Sequence, residues 1–233
     1  MTAFHRRSAM TMLALACTGT STLLLRAGTA LAQSEQQHLV DRARIVVEEF
    51  QADQNLQRMR VYMQNAYATL IVPDLLKLGI FVGAEYGTGV LLARDVTSGE
   101  WSEPAFFEVI GGSLGLQFGG KTSDVILTVM NRGAFDKMLS TNFKMGTDAS
   151  VAVGPVGIGI GAGTTVQFGE DIYIFSRDKG LYGGLSVEGS RIAPKSDWNK
   201  LYYGQTVSSI QILLERMVAH TGTAELRQQL TKF

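Results

Sequence analysis

Apolar positions first recur at helical spacing at Leu39, Ala43, Val46, Val47 and Phe50, with Asp41, Arg42, Arg44, Glu48 and Glu49 on the opposite side. A second stripe, Leu56, Met59, Met63, Ala66 and Leu70, is out of phase with the first. The break falls at Asp53-Gln54-Asn55, residue types that cap helices or make turns. The pattern therefore predicts two helices, or one kinked helix, over residues 35–70, ended by Pro73.

Between Gly79 and about Gly189 the period changes to two. Gly79 to Arg94 predicts a hairpin or bent strand, Thr97-Ser98-Gly99-Glu100 a turn, and Ala105 to Ile110 a strand. Leu114, Leu116 and Phe118 alternate with Ser113, Gly115, Gln117 and Gly119. Val156, Ile158, Ile160 and Ala162 alternate with Gly157, Gly159, Gly161 and Gly163. A glycine face admits close approach of another backbone or helix, or marks bends in a curved sheet. Val125 to Met130 and Ile172 to Phe175 are apolar on both sides, which suits central strands covered twice. Arg132 to Leu139 reads as a short helix. Val207, Ile210, Leu213, Leu214, Met217 and Val218 return to helical spacing, Gly222 punctuates them, and Thr223 to Leu230 reads as a last helix. The order predicts an α+β fold: a curved, glycine-rich, mainly antiparallel sheet, barrel- or sandwich-like, with N- and C-terminal helices.

The first 32 residues stand apart. They carry Arg6, Arg7 and Arg26, no acidic residue, apolar runs at Met10–Cys17 and Leu23–Leu25, and a small-x-small ending at Ala30-Leu31-Ala32. That layout predicts a cleaved export signal, by the Sec or the twin-arginine route. Removing it changes the charge: 21 basic residues less 3 leaves 18 against 21 acidic, a net of −3, which excludes a strongly basic nucleic-acid binder. The single cysteine, Cys17, leaves with the signal, so no disulfide is expected; a lipidated Cys17 is the competing outcome, with a poor lipobox before it.

Catalytic signatures fail on context. The run Gly154 to Gly163 lacks G-x-G-x-x-G and leads into Thr164-Thr165-Val166 instead of a helix start, so it is no phosphate cradle. His38 and His220 are far apart, H-E-x-x-H and G-x-S-x-G do not occur, and Glu170, Asp171 and Asp178 read as strand-end residues. No enzyme, metal or cofactor is expected.

Read as one string, the β region carries Gly83-Ala84-Glu85-Tyr86-Gly87-Thr88-Gly89, then Gly99-Glu100-Trp101-Ser102-Glu103-Pro104 and Gly112 to Gly119. Asp124, Asn131, Gly154-Pro155-Val156-Gly157, Ser176 to Leu181 and Asn199 to Gly204 follow. From about Ala66 to Gly204 this order resembles the SYLF domain, also called the Ysc84 actin-binding domain, in the form of an exported stand-alone bacterial member. The resemblance divides the chain into a signal peptide (1–32), an N-terminal helical segment (33–75) and a SYLF-type domain with C-terminal helices (76–233). It implies binding and not catalysis, with an anionic phospholipid or membrane surface of the periplasm or cell envelope as partner. The alternative is a structural or protein-interaction module without lipid affinity. Arg177 and Lys179 match the family's loop in position, with Asp178 as the departure, and Arg191, Lys195 and Lys200 complete the lipid-binding candidates. The helix Leu39 to Phe50 has mixed charge, which suits packing on the sheet as well as a membrane surface.

Protein recovered from the cell envelope should have the intact mass of a chain starting at Gln33. A mass carrying lipid on Cys17 would show a lipoprotein instead.

Overall fold

A computed structural model describes residues 18–79, 82–114, 119–155, 168–178 and 189–233. The expected alternation at 156–163, most of the one at 113–119, and Lys179 lie outside them.

Helix α1 spans Thr18–Ala52, and from residue 35 its buried positions are Gln36, Leu39, Val40, Ala43, Val46, Val47 and Phe50. That is the apolar stripe of the sequence, now turned inward. The helix stops where Asp53 accepts the Asn55 amide at 2.9 Å and starts a single 3-10 turn, Gln54–Leu56. Helix α2, Met59–Asn65, follows at a new angle, burying Met59, Tyr62 and Met63. The break at Asp53 is thus where the capping residues put it.

The helical reading of 66–70 is corrected. Strand β1 begins at Ala68 and runs to Gly79, so Leu70 is a strand residue and the boundary expected at 75/76 passes through β1. The physical reason is long-range: β1 is flanked on both sides, by β2 (Val82–Ala93) and β4 (Gly119–Val129). A ladder on each side outweighs a local helical period. Pro73 does not end the segment either. It sits at a bulge, where register shifts between Ile71 and Leu76 against β2 and between Val72 and Leu75 against β4. A residue without an N–H is tolerated there. Asp74 takes φ 51°, and its amide is captured by the buried Asp124 carboxylate at 3.0 Å.

The remaining strands are β3 (Ala105–Leu114), β5 (Phe143–Lys144), β6 (Val151–Val153), β7 (Ile172–Asp178) and β8 (Arg191–Pro194). They form one eight-stranded curled sheet, a half-barrel of order β5-β8-β3-β2-β1-β4-β7-β6, antiparallel except for β6–β7. Both faces are apolar. One carries Leu70, Leu91, Phe107, Val125, Leu127 and Ile174, packed under α3 (Arg132–Met138) and α5 (Ser209–Leu213). The other carries Ile71, Val90, Phe106, Ile126 and Phe175, packed under α1, α2, α4 (Ser196–Tyr203) and α6 (Ala224–Leu230). The α+β expectation and the doubly covered central strands agree with this architecture.

The C-terminal stripe is buried only in part and is not a long helix. Val207, Leu213 and Val218 reach the first core and Leu214 packs against it, whereas Ile210 and Met217 are exposed and Ile212 is buried instead; only Ser209–Leu213 is helical, opened by a Ser208–Gln211 capping box. Arg216 takes φ 52° and turns the chain away. The chain must pass from the face covered by α5 to the face covered by α6, and one straight helix through Val218 would leave it on the wrong side.

The glycines of β2 make room for the β1 bulge. A Cβ on Gly89 would lie 2.4 Å from the Ile71 carbonyl oxygen and 2.9 Å from Val72 Cγ2. Gly89→Ala should therefore destabilise the protein by about 1–3 kcal/mol, seen as a lower urea midpoint with an unchanged m-value.

Candidate functional site

Side chains that pair across adjacent strands lie side by side on one face of a sheet. One such row crosses six strands on the face covered by α1. It reads Thr122 of β4, Leu76 of β1, Tyr86 of β2, Ile110 of β3, Arg191 of β8 and Lys144 of β5, each register-paired with the next. Further back on the same strands, Ile71, Val90, Phe106 and Ile126 are buried beneath the helices. Among the described residues, Leu76, Tyr86 and Ile110 of the row stay 37%, 49% and 42% exposed. Arg191 and Lys144 are exposed beside them. The row is an apolar centre with two cations at one end.

The cations expected from the sequence separate in space. Arg191 belongs to the row, its Nε and Nη2 donating to the Thr141 carbonyl at 3.2 and 2.8 Å. Lys195 lies 4.8 Å from the Trp198 ring centroid and 3.8 Å from the Glu108 carboxylate. Lys200 is exposed on α4. Arg177 is elsewhere: four strands separate β7 from β8. Its guanidinium is turned onto α1, 2.5 Å from Glu49 and 4.0 Å from Asp53. Lys144 was missed because no local pattern links it to Arg191, 47 positions later in the chain; only strand pairing joins them.

The motif residues Trp101, Glu103, Pro104, Asn199, Tyr202 and Tyr203 belong to a largely buried polar network, not to a surface. Glu103 accepts from Thr223 Oγ1 at 2.6 Å and from Arg227 Nη1 at 2.8 Å, and Arg227 Nε donates to the Trp101 carbonyl. Tyr203 donates to the Pro104 carbonyl at 2.6 Å, and Tyr202 to Gln37 Oε1 at 2.8 Å. Buried Asn199 accepts the Phe106 amide at 2.8 Å. Burial, reinforced by the Glu103 charge, raises both phenol pKa values well above the usual tyrosine value, so both hydroxyls remain donors. His220 stacks on Tyr202 with centroids 4.1 Å apart, and its Nδ1 accepts the Gly222 amide.

Other polar clusters also hold the fold. Glu85, almost fully buried, lies 3.2 Å from Lys77 and accepts from Ser190. Asp171 accepts from the Ser150 amide and from Asn131, and these donors hold its carboxyl below the ordinary value. Among the described residues no three histidine, cysteine, aspartate or glutamate side chains gather as a metal site, and no helix is long and apolar enough to cross a membrane.

Glu103→Ala strips two charge-assisted bonds from a buried network, each worth about 1.5–3 kcal/mol. The unfolding midpoint should fall by an amount matching at least one of them, while Glu108→Ala, half-buried near Lys195, should change it little.

The model of the family described as Ysc84, Las17-binding protein actin regulator, matches residues 110–233 of this chain. "SH3 domain-containing YSC84-like protein 1" of Xenopus laevis is 29% identical over 166 residues, 70% of this chain and 49% of that protein. The human protein of the same name is 27% identical over 145 residues, 62% of this chain and 42% of its own length. "Protein YSC84" of Saccharomyces cerevisiae is 29% identical over 151 residues, 64% of this chain and 32% of that protein. The chain thus spans about half the length of these relatives or less. The family match runs past Gly204, where the motif resemblance ended, and begins at Ile110, after the Gly83–Gly89 and Gly99–Pro104 segments.

Proposed function

Since the chain belongs to the Ysc84 family, we propose that it is a non-enzymatic, exported protein of the bacterial cell envelope that docks on anionic phospholipid through the row from Leu76 to Lys144. The observation that carries the reading is an exposed apolar centre in register with two exposed cations. Apolar side chains enter the interfacial layer, and lysine and arginine meet the phosphates at its surface. An export signal ending at Ala32 puts such a surface within reach of envelope lipid.

Arg177 has no part in this surface, because Glu49 and Asp53 already offset its charge. Lys200 adds long-range attraction from α4. The family is described as Las17-binding, and this favours a second reading in which the same row receives a protein and has no lipid affinity.

Liposome co-sedimentation separates the two. Near an anionic surface each cation contributes about 1 kcal/mol. Arg191→Gln/Lys144→Gln should therefore lose about thirtyfold in affinity for anionic vesicles. Tyr86→Ser should weaken binding at high salt as well, whereas Arg177→Gln should lower stability and leave lipid affinity unchanged. Binding by wild type to no anionic mixture would sink the lipid reading and leave the protein-interaction one.

A further inference from the structure

The face that carries the row is covered further back by a helix that lies across its strands, not along them. On α1, Gln37 bonds Tyr202 of α4, which packs over β3. Arg42 reaches Asp74 of β1 and Asp124 of β4, and Glu49 pairs with Arg177 of β7. The twelve residues from Gln37 to Glu49 rise about 18 Å, close to the four strand spacings of about 4.8 Å from β3 to β7. The row runs in the same direction beside α1. Thr122 stands two residues from Asp124 and four from the buried Ile126, about 7 and 13 Å at 3.3 Å per residue. Packed helices lie about 8–10 Å apart, so the row is where a second helix parallel to α1 would meet this sheet.

The side chains of the row suit a helix in spacing and in chemistry. Leu76, Tyr86 and Ile110 follow one another at one strand spacing each, a span of about 10 Å, which is the rise between helix positions i and i+7. Positions i, i+4 and i+7 share one helix face and would meet the three in turn. Arg191 and Lys144 come next, about 14 and 19 Å from Leu76, near positions i+11 and i+14 of the same face. Both cations are exposed, and among the described residues no ion pair offsets them. Arg191 bonds the neutral Thr141 carbonyl, and Lys144 meets Asp148 through its backbone amide. One step further out on the same face, Ala84 of β2 and Gly112 of β3 are paired and exposed, with almost no side chain to obstruct a helix from that side.

We propose that the row seats an amphipathic helix of a protein partner, its apolar stripe on Leu76, Tyr86 and Ile110 and acidic residues at one end on Arg191 and Lys144. The inference rests on the row being a docking surface, and it gives a chemistry to the protein of the second reading above. A docked helix and a membrane cannot hold the row together, so each excludes the other.

The probe is a synthetic helix of about 18 residues, with leucines at i, i+4 and i+7 and glutamates at i+11 and i+14, titrated by fluorescence anisotropy into the full folded chain without lipid. It should bind saturably, one per chain. A peptide of the same composition with its leucines spread around the helix, and one with lysines for the glutamates, should each bind at least tenfold more weakly. Tyr86→Ser and Ile110→Ser, both at exposed positions, should keep the unfolding midpoint and lose at least tenfold in affinity. Arg191→Gln/Lys144→Gln should lose at least tenfold at low salt and little at high salt. Where helix and anionic vesicles both bind, the helix should release the chain from the vesicles. No saturable binding overturns the inference. So does equal binding of the spread-leucine peptide, binding that Tyr86→Ser and Ile110→Ser leave intact, or a mixture in which helix and vesicles stay bound together. Vesicles bound without the helix overturn this inference alone, and the helix bound without vesicles overturns the lipid reading alone.

Discussion

A sheet that is apolar on both faces must be covered twice, and among the described residues the covering helices come from before the first strand, after the last, and one short connection, α3. α3 and α5 cover one face; α1, α2, α4 and α6 cover the other. Burying each large apolar side chain contributes about 1.5–3 kcal/mol, so neither face can be left open over the central strands. That requirement sets the path of the C-terminal third. It runs from α4 on one face to α5 on the other and back to α6, and the positive φ of Arg216 lies on the return. The Glu103 network sits where these crossings meet, tying the β2–β3 connection to the turn before α6 and to α6 itself.

The alternation of apolar and polar positions made the class of fold legible. Ile126 and Phe175 face one core while Val125, Leu127 and Ile174 face the other, as an apolar run in a central strand implies. The alternation failed where two periods overlap over a few residues. Ala66 and Leu70 fit a helix on paper, but the ladders to Val129 and Ala93 hold β1 extended from Ala68. Pro73 reads as a terminator in isolation and becomes a bulge once Asp124, fifty positions later, is there to take the Asp74 amide. α4 gave little signal, since its eight residues expose Lys200 and Leu201 and bury Asn199 and Tyr202.

The candidate site was legible only in part, for a related reason. Conspicuous motif residues such as Trp101, Glu103, Asn199 and Tyr203 do their work inside, as acceptors, donors and packing against α6 and β3. Surface character instead comes from residues with no local signature. Leu76, Ile110 and Lys144 become one row through strand pairing alone. Arg191 was found from sequence and Lys144 was not, although they are neighbours in the sheet. Arg177 shows the converse, a cation in a recognisable loop pattern whose charge is taken up by helix α1.

The contact between α1 and α6 has a consequence in time as well as in space. Gln51 donates to the Gln229 carbonyl across 178 positions of chain, and Gln64 reaches the carbonyl of Phe233. The β1–β2 hairpin can pair as soon as it is synthesised, but α1 has no α6 to lie against until more than 130 further residues have been made. Such sequence-distant closure is slow compared with local pairing. During that interval the apolar stripe of α1 lacks its final partner. A nascent chain in that state leaves the stripe open to other apolar surfaces, and the fold withdraws it only when α6 docks.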